Sequence, residues 1–155
     1  RSLDSYWRQM DALSSWLDRT TQSLGVVAHS IRAVPIREVV ELHRESVRRG
    51  LVFHMHVEEQ MREIDACVTA YGLRPLELLL DRLAIDRRFT AVHATHSLAG
   101  DLARFFAAGG NVCITPTTEA NLGDGVPHTE SLRGVSDHLS LGTDSNVRIS
   151  MSTFN

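Results

Sequence analysis

Lysine is absent from this 155-residue sequence, and cysteine occurs only twice. All 16 basic residues are arginines, a bias for which we have no functional interpretation. Cys67 and Cys113 are too few for a disulfide framework, and both lie in apolar segments, where a free cysteine usually behaves as a small buried hydrophobe. We therefore predict reduced thiols and a cytoplasmic protein.

Long hydrophobic runs and a strong charge imbalance are absent as well. No apolar run approaches the roughly 18 residues that suggest a membrane span, so no membrane partner is expected. Residues 1–16 have no apolar central run of the kind found in secretory signals, so nothing indicates export. The net charge of -3 and the hydrophobic content of 43% are those of an ordinary globular protein and do not suggest a nucleic-acid partner.

The chain alternates between helix-like and strand-like segments. Apolar residues recur at helical spacing in residues 2–23, 35–50, 61–72, 74–85 and 98–110. Short apolar runs that we interpret as buried strands occupy residues 24–34, 51–59, 88–97, 111–116 and 138–146. The polar, glycine-containing segment 117–138 is predicted to be a loop, of a length that usually signals function. This alternation is typical of a parallel sheet covered by helices on both faces.

A barrel explains the positions of the polar residues better than an open sheet does. These residues follow one strand after another, at His29 and Arg32, His56 and Glu59, His93 and His96, Thr117 to Glu119, and Asp144. Catalytic residues at the ends of several successive strands are typical of a (β/α)8 barrel, whereas an open sheet concentrates its ligand contacts at one switch point. A glycine-rich phosphate fingerprint is also absent from the sequence.

A complete barrel of this kind needs about 250 residues. The fold that we expect is therefore α/β, a partial (β/α)8 barrel containing about strands 4 to 8. Residues 1–155 would form one incomplete barrel domain, truncated at both ends.

His54 and His56 form an H-x-H pattern at a strand end, with both imidazoles on one face of the strand. Imidazole is a common ligand of zinc and also suits iron and nickel, but structural histidines explain the pattern equally well. Glu59 follows just beyond, where a carboxylate can turn back over the barrel mouth and shuttle protons. Its alternative role is that of a helix N-terminal acid, for which Glu58 is the better candidate.

His93 and Asp144 lie at two further strand ends. His93 is predicted to lie deeper than its neighbour His96 and to be catalytic, whereas a surface or hydrogen-bonding role suits His96 equally well. Asp144 alone has the features of a helix cap or a turn residue. Together with His56 and Glu59, however, His93 and Asp144 supply metal ligands and acid–base groups, and this combination is more specific than any one member.

Five segments resemble the formiminoglutamate deiminase family of the amidohydrolase superfamily. In chain order they are AHSIRAVP, FHMHVEEQ, RFTAVHATHS, TPTTEANLGDG and SLGTDSN. The resemblance runs from about residue 24 to residue 149. HMHVEEQ and TTEANLGDG are its most specific parts, whereas a strand-end H-x-x-E or GTDS indicates only the wider superfamily.

The resemblance implies a role for each candidate residue. His56 and Asp144 would bind one divalent metal, zinc or alternatively iron, and Asp144 would also accept a proton from the attacking water. Glu59 would carry protons to and from the substrate nitrogen. His93 would orient the water and stabilise the tetrahedral centre.

Arg32, with His29 beside it, would hold the substrate, because a guanidinium fork suits the carboxylates of a glutamate-like molecule. From the residues alone, a surface salt bridge is the preferred interpretation of Arg32. The implied reaction is the hydrolysis of a small molecule, N-formimino-L-glutamate, to N-formyl-L-glutamate and ammonia. The intact enzyme would be a homodimer of the histidine-degradation pathway.

Two other functions stay open. A related deaminase could act on a purine, a pyrimidine or a guanidino compound with the same metal groups. Alternatively, the chain could be an inactive barrel piece that serves as an interaction module. We expect the isolated chain to be inactive, because the first-strand H-x-H that supplies two more metal ligands in the superfamily does not occur in it.

Overall fold

The structure, a computed structural model, describes residues 2–145 and is built around a parallel sheet. Its strands are β1 (Gly25–Ser30), β2 (Val52–Val57), β3 (Phe89–His93), β4 (Asn111–Ile114) and β5 (Leu139–Leu141). Its helices are α1 (Leu3–Ser14), α2 (Ile36–Arg48), α3 (Met61–Tyr71), α4 (Pro75–Arg82), α5 (Ala99–Ala107) and α6 (Pro116–Leu122), with 3-10 turns at Thr129–Leu132 and Ser136–His138. The part of the predicted last strand and of the family resemblance that lies in residues 146–149 is outside the described residues.

The five strands lie side by side in chain order, and every neighbouring pair is parallel. Right-handed crossovers between successive strands put all connecting helices on the same face of such a sheet. The burial pattern of β2 agrees with helices on one face of the sheet. Phe53, Met55 and Val57 point to one face and are buried, while Val52, which points to the other face, is 43% exposed. The prediction of a partial (β/α)8 barrel is confirmed, whereas the expected cover of helices on both faces is wrong for this single-wound sheet.

Two segment boundaries differ from the prediction. The first helix ends at Ser14 rather than near residue 23, because Asp18 accepts hydrogen bonds from Thr20 and Thr21 and closes a turn there. The predicted loop 117–138 contains α6 and two 3-10 turns. Pro116 at the first helical position and Gly123 in the left-handed region delimit α6, which is too short to show helical periodicity.

Cys67 is buried and Cys113 is partly buried, and both are free cysteines. Within residues 2–145, each helix is too short or too polar to cross a membrane.

Gly110, which precedes β4, leaves no room for a side chain. A Cβ there would lie 2.4 Å from the ring of Phe105, which is completely buried and cannot move aside. Overpacking of this kind costs about 1–3 kcal/mol, and we expect Gly110→Ala to lower the free energy of unfolding by that amount. Gly100→Ala is the matched control, because a Cβ at that helical position meets nothing within 4 Å. Urea unfolding should show a loss for the first variant and none for the second.

Candidate active site

Three strand ends bring a pair of histidines and an aspartate together at one edge of the sheet. His56 lies near the end of β2, His93 ends β3, and Asp144 follows β5. Nε2 of His56 is 3.6 Å from Oδ1 of Asp144, and Nε2 of His93 is 3.9 Å from Oδ2 of the same carboxylate. The ligand-type atoms of these three side chains lie within 4.8 Å of one another. The residues that the sequence singled out at three separate strand ends therefore form one cluster.

The orientation of His56 is set by the backbone of the neighbouring strand. Its Nδ1 lies 2.7 Å from the carbonyl oxygen of His29. A carbonyl only accepts hydrogen bonds, so Nδ1 carries the proton and Nε2 keeps a free lone pair. This Nε2 faces Asp144. The arrangement is the usual one for a histidine that binds a metal, whose second nitrogen is held by a carbonyl or a carboxylate.

His93 is completely buried and lies in a rare backbone conformation, with φ at 74°. Its Nδ1 lies 2.9 Å from Oγ1 of Thr115 and 3.3 Å from Oε1 of Glu119. Its Nε2 has no hydrogen-bond partner among the described residues. Burial by itself lowers the pKa of His93, but the hydrogen bond that His93 donates to Glu119 and the charges of Glu59 and Asp144 outweigh it, so the net shift of this pKa is upward.

Left-handed backbone occurs repeatedly around the cluster. His93, the next residue Ala94, Asp144 and Glu58 all have positive φ without being glycine. Conformations of this kind cost about 1–3 kcal/mol each and persist where the surrounding structure enforces them, which is common at functional sites. The strand ends are therefore held in place by their neighbours rather than by local preference.

The cluster fits a divalent metal ion. Two imidazole nitrogens and a carboxylate are the donor types that zinc and iron prefer. The buried, unpartnered Nε2 of His93 is an atom that a bound ion could satisfy, and it points to the same carboxylate as Nε2 of His56. The geometry thus adds His93 to the possible ligands, whereas the sequence assigned it a catalytic role only.

Glu59 joins the cluster to Arg32. One carboxylate oxygen of Glu59 is 3.8 Å from Nε2 of His93, and the other is 2.8 Å from Nη2 of Arg32. The Arg32 side chain is 33% exposed, while that of Glu59 is 10% exposed. Arg32 also donates to the side-chain oxygen of Gln60 at 3.4 Å, and Gln60 donates to Asp124 at 3.0 Å. The ion pair therefore lies at the rim of the cluster, with its guanidinium reachable from solvent.

His29, the second expected substrate residue, lies beside His56, with the two ring centroids 4.8 Å apart. Its pKa is lowered, first by burial and then by the charges of His56 and Arg32. Its own Nδ1 lies 3.0 Å from the hydroxyl of Ser30. Both expected substrate residues thus border the cluster.

Two histidines of the sequence motifs lie outside the cluster. His54 shares a face of β2 with His56, as predicted, but lies further from the strand end, and burial lowers its pKa. His96 is half-buried, and its carbonyl accepts a hydrogen bond from Arg74 at 2.6 Å. Sequence spacing alone does not separate these histidines from His56 and His93.

Glu119 and Thr115 contact the site, although the sequence assigned them no role. Glu119 is 3% exposed and Thr115 is 1% exposed, and both contact Nδ1 of His93. The available signal was the position of Glu119 three residues after Pro116 and close to a strand end, within the polar segment 117–119.

Glu58 is a helix N-terminal acid, as the sequence predicted, but for α4 rather than for the helix that follows it. Its Oε1 accepts a hydrogen bond from the backbone N–H of Leu76 at 3.3 Å and lies 3.5 Å from Nε of Arg74. Glu58 is completely buried, and this burial raises the pKa of its carboxyl group. Glu58 thus connects the end of β2 to the start of α4.

Glu63, which contacts the backbone of Glu59, provides a test of buried charge. It is completely buried, and burial raises its pKa from 4.5 to about 7. The folded state therefore holds this proton more tightly than the unfolded chain, so the free energy of unfolding falls as the pH rises from about 4.5 to about 7. We expect Glu63→Gln to remove this loss, because an amide keeps the hydrogen bond from the backbone N–H of Glu59 without a charge.

The measurement is urea unfolding at about pH 5 and at about pH 8, on either side of the expected transition. The stability of Glu63→Gln relative to the wild type should be higher at the alkaline pH. Glu41→Gln, at an exposed position of α2, is the control and should show no such change. An equal difference at both pH values would contradict the shifted pKa.

Comparisons with known proteins agree with this geometry. No family model matches the chain. The formimidoylglutamate deiminase of Pseudomonas aeruginosa is 32% identical over 148 residues, which cover 96% of this chain and 32% of that protein. The 5-methylthioadenosine/S-adenosylhomocysteine deaminase of Halobacterium salinarum is 28% identical over 75% of this chain and 27% of that protein. The chain thus spans about a quarter to a third of the length of these curated relatives.

Two solved structures share the fold. An amidohydrolase from Brucella melitensis superposes with a TM-score of 0.75 and 35% identity, covering 83% of this chain and 28% of that one. An adenosine deaminase from Xanthomonas campestris, solved with bound zinc, gives a TM-score of 0.86 and 25% identity, covering 94% of this chain and 33% of that one.

The fold, the cluster and these relatives define one class of protein. The chain is related to the hydrolytic deaminases of the amidohydrolase superfamily. Within this class, the resemblance to formimidoylglutamate deiminase that was predicted from the sequence is confirmed.

Proposed function

We propose that this chain works as part of a longer barrel enzyme that hydrolyses N-formimino-L-glutamate to N-formyl-L-glutamate and ammonia. The observation that carries the proposal is the Arg32–Glu59 ion pair at the rim of the His56, His93 and Asp144 cluster. A guanidinium beside acid–base groups suits a linear amidine that carries carboxylates. The similarity to a formimidoylglutamate deiminase over nearly the whole chain supports the same substrate.

His56 and Asp144 would hold one divalent metal, for which zinc is the first choice and iron the second. The structurally similar adenosine deaminase of Xanthomonas campestris contains zinc, which supports that choice. A metal at this position supplies Lewis-acid chemistry, which activates water at neutral pH. Further ligands would come from parts of the enzyme outside this chain.

The proton transfers are assigned to three side chains. Asp144 accepts the proton that the attacking water loses. Glu59 takes up a proton that the added water releases and delivers it to the substrate nitrogen that leaves as ammonia, because an amidine nitrogen must be protonated before it departs. His93, whose Nε2 lies between these two carboxylates, orients the water and stabilises the tetrahedral centre. Arg32, with His29 beside it, binds a substrate carboxylate.

The first experiment measures ammonia release from N-formimino-L-glutamate by the full-length protein, with a chelator and after restoration of zinc. Release that the chelator abolishes and zinc restores is the expected result. No release from the folded, zinc-loaded protein would rule out this substrate, and other amidines and cyclic deaminase substrates would be tested next. A cytoplasmic location and a homodimeric intact enzyme stay predictions.

The main alternative is deamination of a cyclic substrate, which is favoured by the similarity to a deaminase of adenosine-type compounds. Arg32→Met separates the two functions. Because Arg32 also pairs with Glu59, some loss of activity would be common to all substrates. The informative quantity is therefore the loss of kcat/KM on N-formimino-L-glutamate divided by the loss on formamidine, which has no carboxylate.

We expect this ratio to be about 10–100, since a hydrogen bond to a charged group contributes about 1.5–3 kcal/mol. A ratio near one would mean that Arg32 acts only through Glu59. The carboxylate specificity would then need another explanation.

A further inference from the structure

We infer that Glu119, together with Thr115, is a positioning residue that keeps the proton of His93 on Nδ1 and directs the free Nε2 into the cluster. This inference deepens the proposed function and rests on it for its catalytic consequence. It concerns a residue to which neither the sequence motifs nor the proton-transfer scheme gave a role.

The contacts of Glu119 locate the proton of His93. Oε1 of Glu119 lies 3.3 Å from Nδ1 of His93 and accepts a hydrogen bond from the backbone N–H of Thr115 at 3.0 Å. An ionised carboxylate only accepts hydrogen bonds. An unprotonated Nδ1 at this distance would therefore place its lone pair against a lone pair of the Glu119 carboxylate. The Nδ1–H form removes this repulsion. Nε2 is then left with its lone pair.

The contacts of the Thr115 hydroxyl are compatible with a proton on Nδ1 of His93. Its Oγ1 lies 2.9 Å from Nδ1 of His93 and 3.3 Å from Oε1 of Glu119. The hydroxyl can donate to the carboxylate and accept from Nδ1–H at the same time. If the carboxylate is removed, the same hydroxyl is free to donate to Nδ1. The proton of His93 would then move to Nε2, the atom that faces Glu59 and Asp144.

A purely structural role for Glu119 predicts something different. Glu119 reaches back to the backbone N–H at the start of α6, as a helix-capping side chain does. A cap requires only an acceptor for that N–H. Its loss would destabilise the protein without moving a proton on His93.

The experiment compares Glu119→Met and Glu119→Gln in the full-length protein. Metal-free protein with 15N-labelled histidine is examined by NMR at alkaline pH, where imidazole is neutral and its two tautomers differ in their nitrogen shifts. A His93→Gln variant identifies the signals of His93. Gly110→Ala, a destabilised variant whose changed position contacts Phe105 and not His93, is the stability control.

Wild type, Glu119→Gln and Gly110→Ala should show the Nδ1–H form, because the glutamine oxygen still accepts from Nδ1. Glu119→Met should show the Nε2–H form. An unchanged Nδ1–H form in Glu119→Met, or an Nε2–H form in the wild type, would overturn the inference.

The kinetic consequence is a loss of about 10–100-fold in kcat for Glu119→Met with little change in KM, since residues that orient a catalytic or ligand histidine contribute that much. Glu119→Gln should recover most of the loss. If the protein does not act on N-formimino-L-glutamate, the proposed function fails, while the NMR comparison still decides the tautomer of His93 without any substrate.

Discussion

Replacing Asp144 with asparagine is expected to lower kcat of the full-length enzyme by about 10³-fold or more and to reduce its metal content. Both carboxylate oxygens of Asp144 face an imidazole Nε2, at 3.6 Å from His56 and 3.9 Å from His93. A neutral amide removes one charged ligand and the group that accepts the proton of the attacking water. Replacing one carboxylate oxygen by an amide nitrogen therefore removes both the charged metal ligand and the proton acceptor.

Asparagine is suited to this test because Asp144 has a φ of 50°. Asparagine tolerates the left-handed region better than other residues with a Cβ, so the backbone can keep its conformation. Asp137→Asn is the matched control, because this aspartate is exposed and precedes β5 without contacting the cluster. It should keep its activity and its metal. A metal-loaded Asp144→Asn enzyme with nearly normal kcat would contradict the role of Asp144.

Replacing Glu59 with glutamine is expected to lower kcat by about 10²–10⁴-fold, the usual contribution of a general acid or base. Glutamine keeps the shape of Glu59 and can still accept a hydrogen bond from Arg32, but it cannot deliver a proton to the leaving nitrogen. Metal content should stay normal, because Glu59 is not one of the three clustered ligand residues. The two variants therefore differ in metal content, although both lose activity.

The control for Glu59 is Glu41→Gln, which removes an exposed carboxylate from α2 and should leave kcat unchanged. Metal analysis and the rate of ammonia release are measured on the same preparations. Loss of metal from Glu59→Gln would mean that Glu59 supports the metal site rather than transferring protons. Unchanged kcat with a normal metal content would exclude it as the proton donor.

The sequence predicted the strands well because their signal is local. Short apolar runs followed by polar residues identified every strand of the sheet, and the positions of His56, His93 and Asp144 at strand ends followed from the same pattern. Parallel strands all end at the same edge of a sheet, so the meeting of these residues could be expected without coordinates. The length of the first helix and the presence of α6 could not be predicted from the sequence, because they depend on turn hydrogen bonds and helix caps.

Residue chemistry and spacing were sufficient to identify the barrel class, the histidine and aspartate cluster, and the resemblance to a deaminase. The tertiary structure alone decided which contacts these residues make. Glu119 reaches His93 across 26 residues of sequence, and Arg32 reaches Glu59 across 27. Both contacts depend on the register of neighbouring strands and on the bends that follow them, and a pattern within one segment contains no information about either.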